Sequence, residues 1–161
     1  MNTQSQSIRR AGNLSKLIPS VAALAFIFLT AVAADAADTD DIRALLAGQV
    51  TAWNRGDLAG FVQGFARVDR VRIATCDVTK VGWNEIRTAY SPLFQDASAM
   101  GTLSFSDIEI DPLTSDLAYV FLRSKLQTRV KEHHGVASVL VRKTADGWKI
   151  IVDHSSSDAG C

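Results

Sequence analysis

The chain is poor in the residues that usually announce a mechanism. Its 161 residues hold two cysteines, Cys76 and Cys161, and neither lies directly after the apolar run near the start, which argues against a bacterial lipoprotein. Neither has a histidine nearby in sequence, which argues against a catalytic thiol. His133 and His134 are adjacent, so on a strand they point to opposite faces, and no further Cys/His spacing suits zinc. No glycine-rich phosphate loop is present, and Ser155–Ser157 lacks a nucleophile elbow, which disfavours nucleotide hydrolysis and covalent serine chemistry. Basic and acidic residues balance at 17 each with no basic run, so a nucleic acid backbone finds nothing to hold. We expect no metal and no cofactor.

The first segment that is present has the order of a secretory leader. Arg9, Arg10 and Lys16 precede the apolar run Val21–Val32, and small residues follow at Ala31-Val32-Ala33 and Ala34-Asp35-Ala36. The run falls short of the roughly 20 residues needed to span a bilayer. Residues 1–36 therefore read as a signal peptide, cleaved after Ala36 or, second, after Ala33; the alternative is an uncleaved anchor. The expected product is exported, periplasmic or secreted, with no stable membrane span after cleavage. Cleavage removes three basic residues and only Asp35, leaving residues 37–161 slightly acidic. In an oxidising compartment Cys76 and Cys161 could form one disulfide, worth about 3–5 kcal/mol in the simple entropy picture. Cys161 is the final residue and prone to fray, so pairing stays open at this point.

The remainder suits one domain, with its core at about 40–156. Ile42, Leu45, Leu46, Val50 and Trp53 predict a helix over Asp40–Trp53, capped by Thr39 or Asp38 and ended by Gly56. Asp57 caps a shorter helix carrying Leu58, Phe61, Val62 and Phe65. Val71–Cys76 reads as a strand and Asn84–Ser91 as a helix that Pro92 ends or kinks. Strands follow at Leu103–Ile110 and Leu117–Thr128, with a turn expected at Glu132–Gly135. Val136–Lys143 and Trp148–His154 then form a hairpin whose Asp146-Gly147 supplies positive φ. Helices first and antiparallel strands afterwards mean α+β, with helices packed on one face of a curved sheet.

Four motifs in this order carry a resemblance: Ala52-Trp53-Asn54-Arg55-Gly56-Asp57, Gly82-Trp83-Asn84-Glu85-Ile86, Lys143–Ile150, and Asp153-His154-Ser155-Ser156. Over about Asp40–Ser156 the chain resembles the SnoaL-like group of the nuclear transport factor 2-like superfamily. The resemblance implies a cone-shaped, cystatin-like fold with a pocket between sheet and helices, and a homodimer packed through outer sheet faces. Its relatives include polyketide cyclases, ketosteroid isomerases, dehydratases and epoxide hydrolases, beside pocket proteins with no established reaction. Ala66–Val81 departs from the pattern, because no two-strand hairpin is legible there; relatives often carry a catalytic carboxylate in that region.

His154 is the first catalytic candidate. Strict alternation groups it with Trp148, Ile150 and Val152, but Ile151 on the other face is apolar too, so two placements stand. Facing inward, it could exchange a proton near neutrality; otherwise it braces the strand end through Asp153 or a serine. Asp107 is the second candidate, sharing a face with Glu109, Leu103 and Phe105, where burial would raise a carboxyl pKa; the alternative is a solvent face. Arg123 and Gln127 lie together on the long strand, and an inward Arg123 needs a partner such as Asp107 or Glu109. Trp53 and Tyr90, on helix faces, complete the pocket candidates with Glu109, Arg123 and Gln127. The expected role is binding of a small, mostly apolar molecule. Cofactor-independent acid–base chemistry (isomerase, cyclase or dehydratase type) is the alternative, and a dimeric interaction domain without a ligand the second.

Overall fold

A computed structural model describes the backbone over residues 21–75 and 78–158, and side chains from residue 36 onward. The basic start of the expected leader lies outside the described residues, as do both members of the candidate disulfide, Cys76 and Cys161. Among the described residues those from Ala34 onward form one compact unit, the folded domain, separate from those up to Ala33. Among the described residues no helix is long and apolar enough to cross a membrane.

Helix α1 runs from Val21 to Asn54. The expected cap at Asp38 or Thr39 is therefore not a helix start. Asp38 instead accepts hydrogen bonds from Lys143 Nζ and Trp148 Nε1, pinning the helix to the last hairpin. Gly56, at φ 68°, turns the chain, and the Asp57 carboxylate caps α2 (Leu58–Val62) through the Gly60 amide at 2.9 Å. Helix α3 (Trp83–Tyr90) continues as a 3-10 helix over Ser91–Gln95, so Pro92 tightens the chain without breaking it. A short α4 (Ala97–Met100) then leads to the sheet.

Six strands form one sheet in the order β2-β1-β6-β5-β4-β3: β1 (Arg72–Thr75), β2 (Val78–Val81), β3 (Thr102–Thr114), β4 (Leu117–Gln127), β5 (Glu132–Thr144) and β6 (Gly147–Ser157). All pairings are antiparallel except β1 with β6. Two expectations are corrected here. Ala66–Val81 does contain a hairpin: β1 falls within the expected strand Val71–Cys76, and its partner β2 is too short and too exposed to show in the hydrophobic pattern. Glu132–Gly135 is strand, paired with Ser124–Gln127, and the turn lies earlier, where the Thr128 hydroxyl donates to the Lys131 carbonyl.

Two bulges set which side chains face the helices. In β6, Val141 pairs with Ile150 and Leu140 with Val152, leaving Ile151 unpaired. In β3, Ser106 pairs with Arg123 and Glu109 with Phe121, so Asp107 and Ile108 together face one position. An extra residue shifts the two-residue alternation by one, so the inward set changes phase at each bulge. Inward residues are thus Leu103 and Phe105, then Ile108 and Ile110, on β3; on β6 they are Trp148 and Ile150, then Asp153 and Ser155. Ile42, Leu46, Phe65, Ile86, Val120 and Val141 are fully buried and join helices to sheet.

Candidate functional site

Between α1, α2, α3 and the concave sheet face lies a cavity of about 520 Å³, within the usual range for small-molecule sites. Its wall is mostly apolar. Phe61 stands at the centre of an aromatic cluster, 4.8 Å from Tyr90, 5.6 Å from Trp53 and 5.6 Å from Phe94, centroid to centroid. Val78 and Leu93, each about half exposed, form part of the rim.

The polar groups are few. Trp53 spends its indole N–H on the Gly101 carbonyl, and Gln49 donates to the Phe61 carbonyl, so both are positioned by backbone. Thr75 and Ser155 hydroxyls bond each other at 3.0 Å across the β1–β6 pair. Asp153 remains. It sits between Ile73 of β1 and Val139 of β5, and its Oδ1 is buried with no hydrogen-bond partner among the described residues. Burial pushes its carboxyl from 3.8 up to about 6, against a smaller lowering by nearby His154. Tyr90 is raised as well, by its own burial first and then by the Asp153 charge, so its phenol stays protonated near neutrality.

The predicted site residues separate into two groups. Trp53 and Tyr90 line the cavity. His154 does not: it is exposed on the outer face, between Ala74 and Ser138, because the Ile151 bulge turns it outward and Asp153 inward. Asp107 and Arg123 pair as sequence suggested, at 3.3 Å, but on the outer face with side chains 64% and 60% exposed. Glu109 and Gln127 are also exposed there, since the β3 bulge puts Ile108 and Ile110 inward and Leu126 alternates with Gln127 on β4. His133 and His134 turn to different carboxylates, Asp158 at 3.6 Å and Glu132 at 3.0 Å. Asp153 was missed as a site residue because strict alternation assigns it the face opposite Ile150. The available signal was the run Ile150-Ile151-Val152, three apolar residues where alternation allows two faces.

A family model described as a SnoaL-like domain matches residues 42–159. Among solved structures, an NTF-2 like protein of unknown function from Shewanella oneidensis MR-1 is 39% identical, with TM-score 0.70 over 73% of this chain and 98% of that one. A ketosteroid isomerase-like protein from Erwinia carotovora atroseptica is 20% identical, with TM-score 0.60 over 73% and 93%. A protein of unknown function with a cystatin-like fold from Nostoc punctiforme is 18% identical, with TM-score 0.63 over 76% and 92%. No curated protein sequence matches the chain.

Proposed function

The chain belongs to the SnoaL-like domain family, and we propose that it binds a small, mostly apolar molecule in the cavity over Asp153. One observation carries this reading: a cavity of about 520 Å³ walled by aromatic and aliphatic side chains contains a buried carboxylate oxygen with no partner among the described residues. An unsatisfied buried acceptor costs about 1–3 kcal/mol, and a ligand donor seated against it recovers that cost. Titrating the protein with apolar compounds while following Trp53 fluorescence tests the reading. Saturable binding that Ala137→Trp, a substitution filling the cavity, abolishes is the expected result; no saturable binding across a chemically broad set counts against it.

A second reading, cofactor-independent acid–base catalysis, is favoured by the position of the Asp153 carboxyl near 6 inside that cavity. In it Asp153, not His154 or Asp107, moves the proton, and the protonated Tyr90 phenol supplies a hydrogen bond to developing negative charge. The name of the Erwinia neighbour points the same way for that protein.

Two further parts belong to the proposal. Tyr119, Phe121, Leu140 and Val152 form a half-buried stripe on the outer sheet face, which supports a homodimer closed through that face. Sedimentation showing only monomer at micromolar concentration would remove it. Export with loss of residues 1–36 is supported by the position of Asp38, which among the described residues is tied by hydrogen bonds to the last hairpin just past the small-residue site. N-terminal sequencing of the exported protein should begin at Ala37; a retained Val21–Val32 run would contradict it.

A further inference from the structure

We propose that the molecule this cavity takes is a cation: an apolar amine whose protonated nitrogen meets the Asp153 carboxylate and whose hydrocarbon lies among Trp53, Phe61, Tyr90 and Phe105. The inference rests on the binding reading above and adds the charge of the ligand. Its first support is the lining itself, which among the described residues carries one carboxylate and no lysine, arginine or histidine. An anionic ligand would meet like charge with no cation to offset it, whereas an ammonium supplies the missing counter-charge and the missing donor together. The second support is geometry. Among the described residues Asp153 Oδ1 is buried without a donor, its strand neighbours Ile73 and Val139 are apolar, and a charge-assisted N–H bond is roughly twice as strong as a neutral one. Third, the wall is aromatic, and the negative faces of aromatic rings attract ammonium groups.

The groups that bear on the Asp153 charge are few. From α3 comes Tyr90, a neutral phenol; from its own strand His154, whose side chain is on the outer face. The described lining residues of β1, β5 and α1, among them Thr75 and Gln49, are all uncharged. With its carboxyl near 6, Asp153 is mostly ionised at neutral pH and ready to pair.

The test uses three compounds with one hydrocarbon cage and different head groups: 1-adamantylamine, 1-adamantanol and 1-adamantanecarboxylate, titrated calorimetrically into the protein. The amine should bind at least roughly ten-fold tighter than the alcohol near pH 7.5, and the carboxylate weakest. Its advantage should shrink about ten-fold near pH 5, where only about a tenth of Asp153 is ionised, because apparent affinity scales with the competent fraction. Asp153→Asn should erase the preference for the amine while leaving the alcohol bound. Equal or tighter binding of the alcohol by the native protein, or an amine preference that survives in D153N, overturns the cation inference and leaves the cavity reading standing. Failure of all three compounds to bind overturns both. The pH titration needs only the native protein, so the outcome does not depend on how the variant folds.

Discussion

On the inner face of the sheet Asp153 lies between Ile73 and Val139 with an oxygen that no donor reaches, whereas on the outer face Asp107 sits 3.3 Å from Arg123 in open solvent. The residue type is the same. Surroundings alone separate them: burial lifts Asp153 to about 6, while the outer pair is screened by water. Placement on one face or the other is decided by the shift between Ser106 and Glu109 in β3 and by unpaired Ile151 in β6. A carboxylate's chemistry here is therefore a consequence of strand phase, and changes made on each face should differ in kind.

The largest effect is expected on the inner face, from the aromatic cluster that shapes the cavity. Phe61→Ala removes a buried ring packed against Trp53, Tyr90, Phe65 and Phe94, and should cost about 3–5 kcal/mol in denaturant unfolding. A loss below about 1 kcal/mol would mean the cluster is not a packed core. Next comes chemistry. If the protein turns over a substrate, Asp153→Asn should lower kcat roughly 10²-fold or more, while His154→Gln on the outer face leaves it within about two-fold. The reverse order would return His154 to the cavity and refute the β6 bulge.

The pH dependence of stability sharpens the same contrast. Folding raises Asp153 from its ordinary 3.8 to about 6, so between those values the native state keeps a proton that the unfolded chain has released. Stability attributable to this group is thus greatest at low pH, falls as pH rises through that window, and stays low above it. Asp153→Asn removes the penalty. The variant should be more stable than the native protein by about 1–3 kcal/mol near pH 7, with the gain vanishing toward about pH 4. Equal stability at both pH values would mean that Asp153 is solvated.

Much of the fold was legible because its signals are local. The Asp57 cap, the Gly56 turn and the Gly147 hairpin each rest on a few adjacent residues, and the helices-then-strands order followed from periodicity. What was not legible depends on pairing. The strand read over Val71–Cys76 contains β1, but Val78–Val81 is a four-residue strand with little buried surface, so only its neighbour reveals it. The faces of β3 and β6 depend on where one residue goes unpaired, and composition alone does not mark that position. Trp53 and Tyr90 were found as pocket candidates because helices carry their phase through unbroken turns. His154, Asp107, Glu109, Arg123 and Gln127 were assigned by strand alternation, which leaves open the face that meets the helices and changes phase at a bulge.

The smallest expected effects belong to Asp107, where two roles can be separated. Its ion pair with Arg123 is exposed on both sides, and such pairs are worth about 0.2–1 kcal/mol at most. Its backbone, at φ 49°, is left-handed, the conformation that lets β3 bulge and turn Ile108 inward. Aspartate and asparagine tolerate that region, glycine prefers it, and alanine pays about 1 kcal/mol or more. Asp107→Asn should therefore change stability by less than about 0.5 kcal/mol, Asp107→Gly should be near neutral, and Asp107→Ala should cost about 1 kcal/mol. A double-mutant cycle with Arg123→Ala on the Asn background isolates the charge term, which should shrink further in high salt. If Asn and Ala prove equally costly, the carboxylate charge rather than the bulge holds this edge, and the phase change in β3 needs another cause.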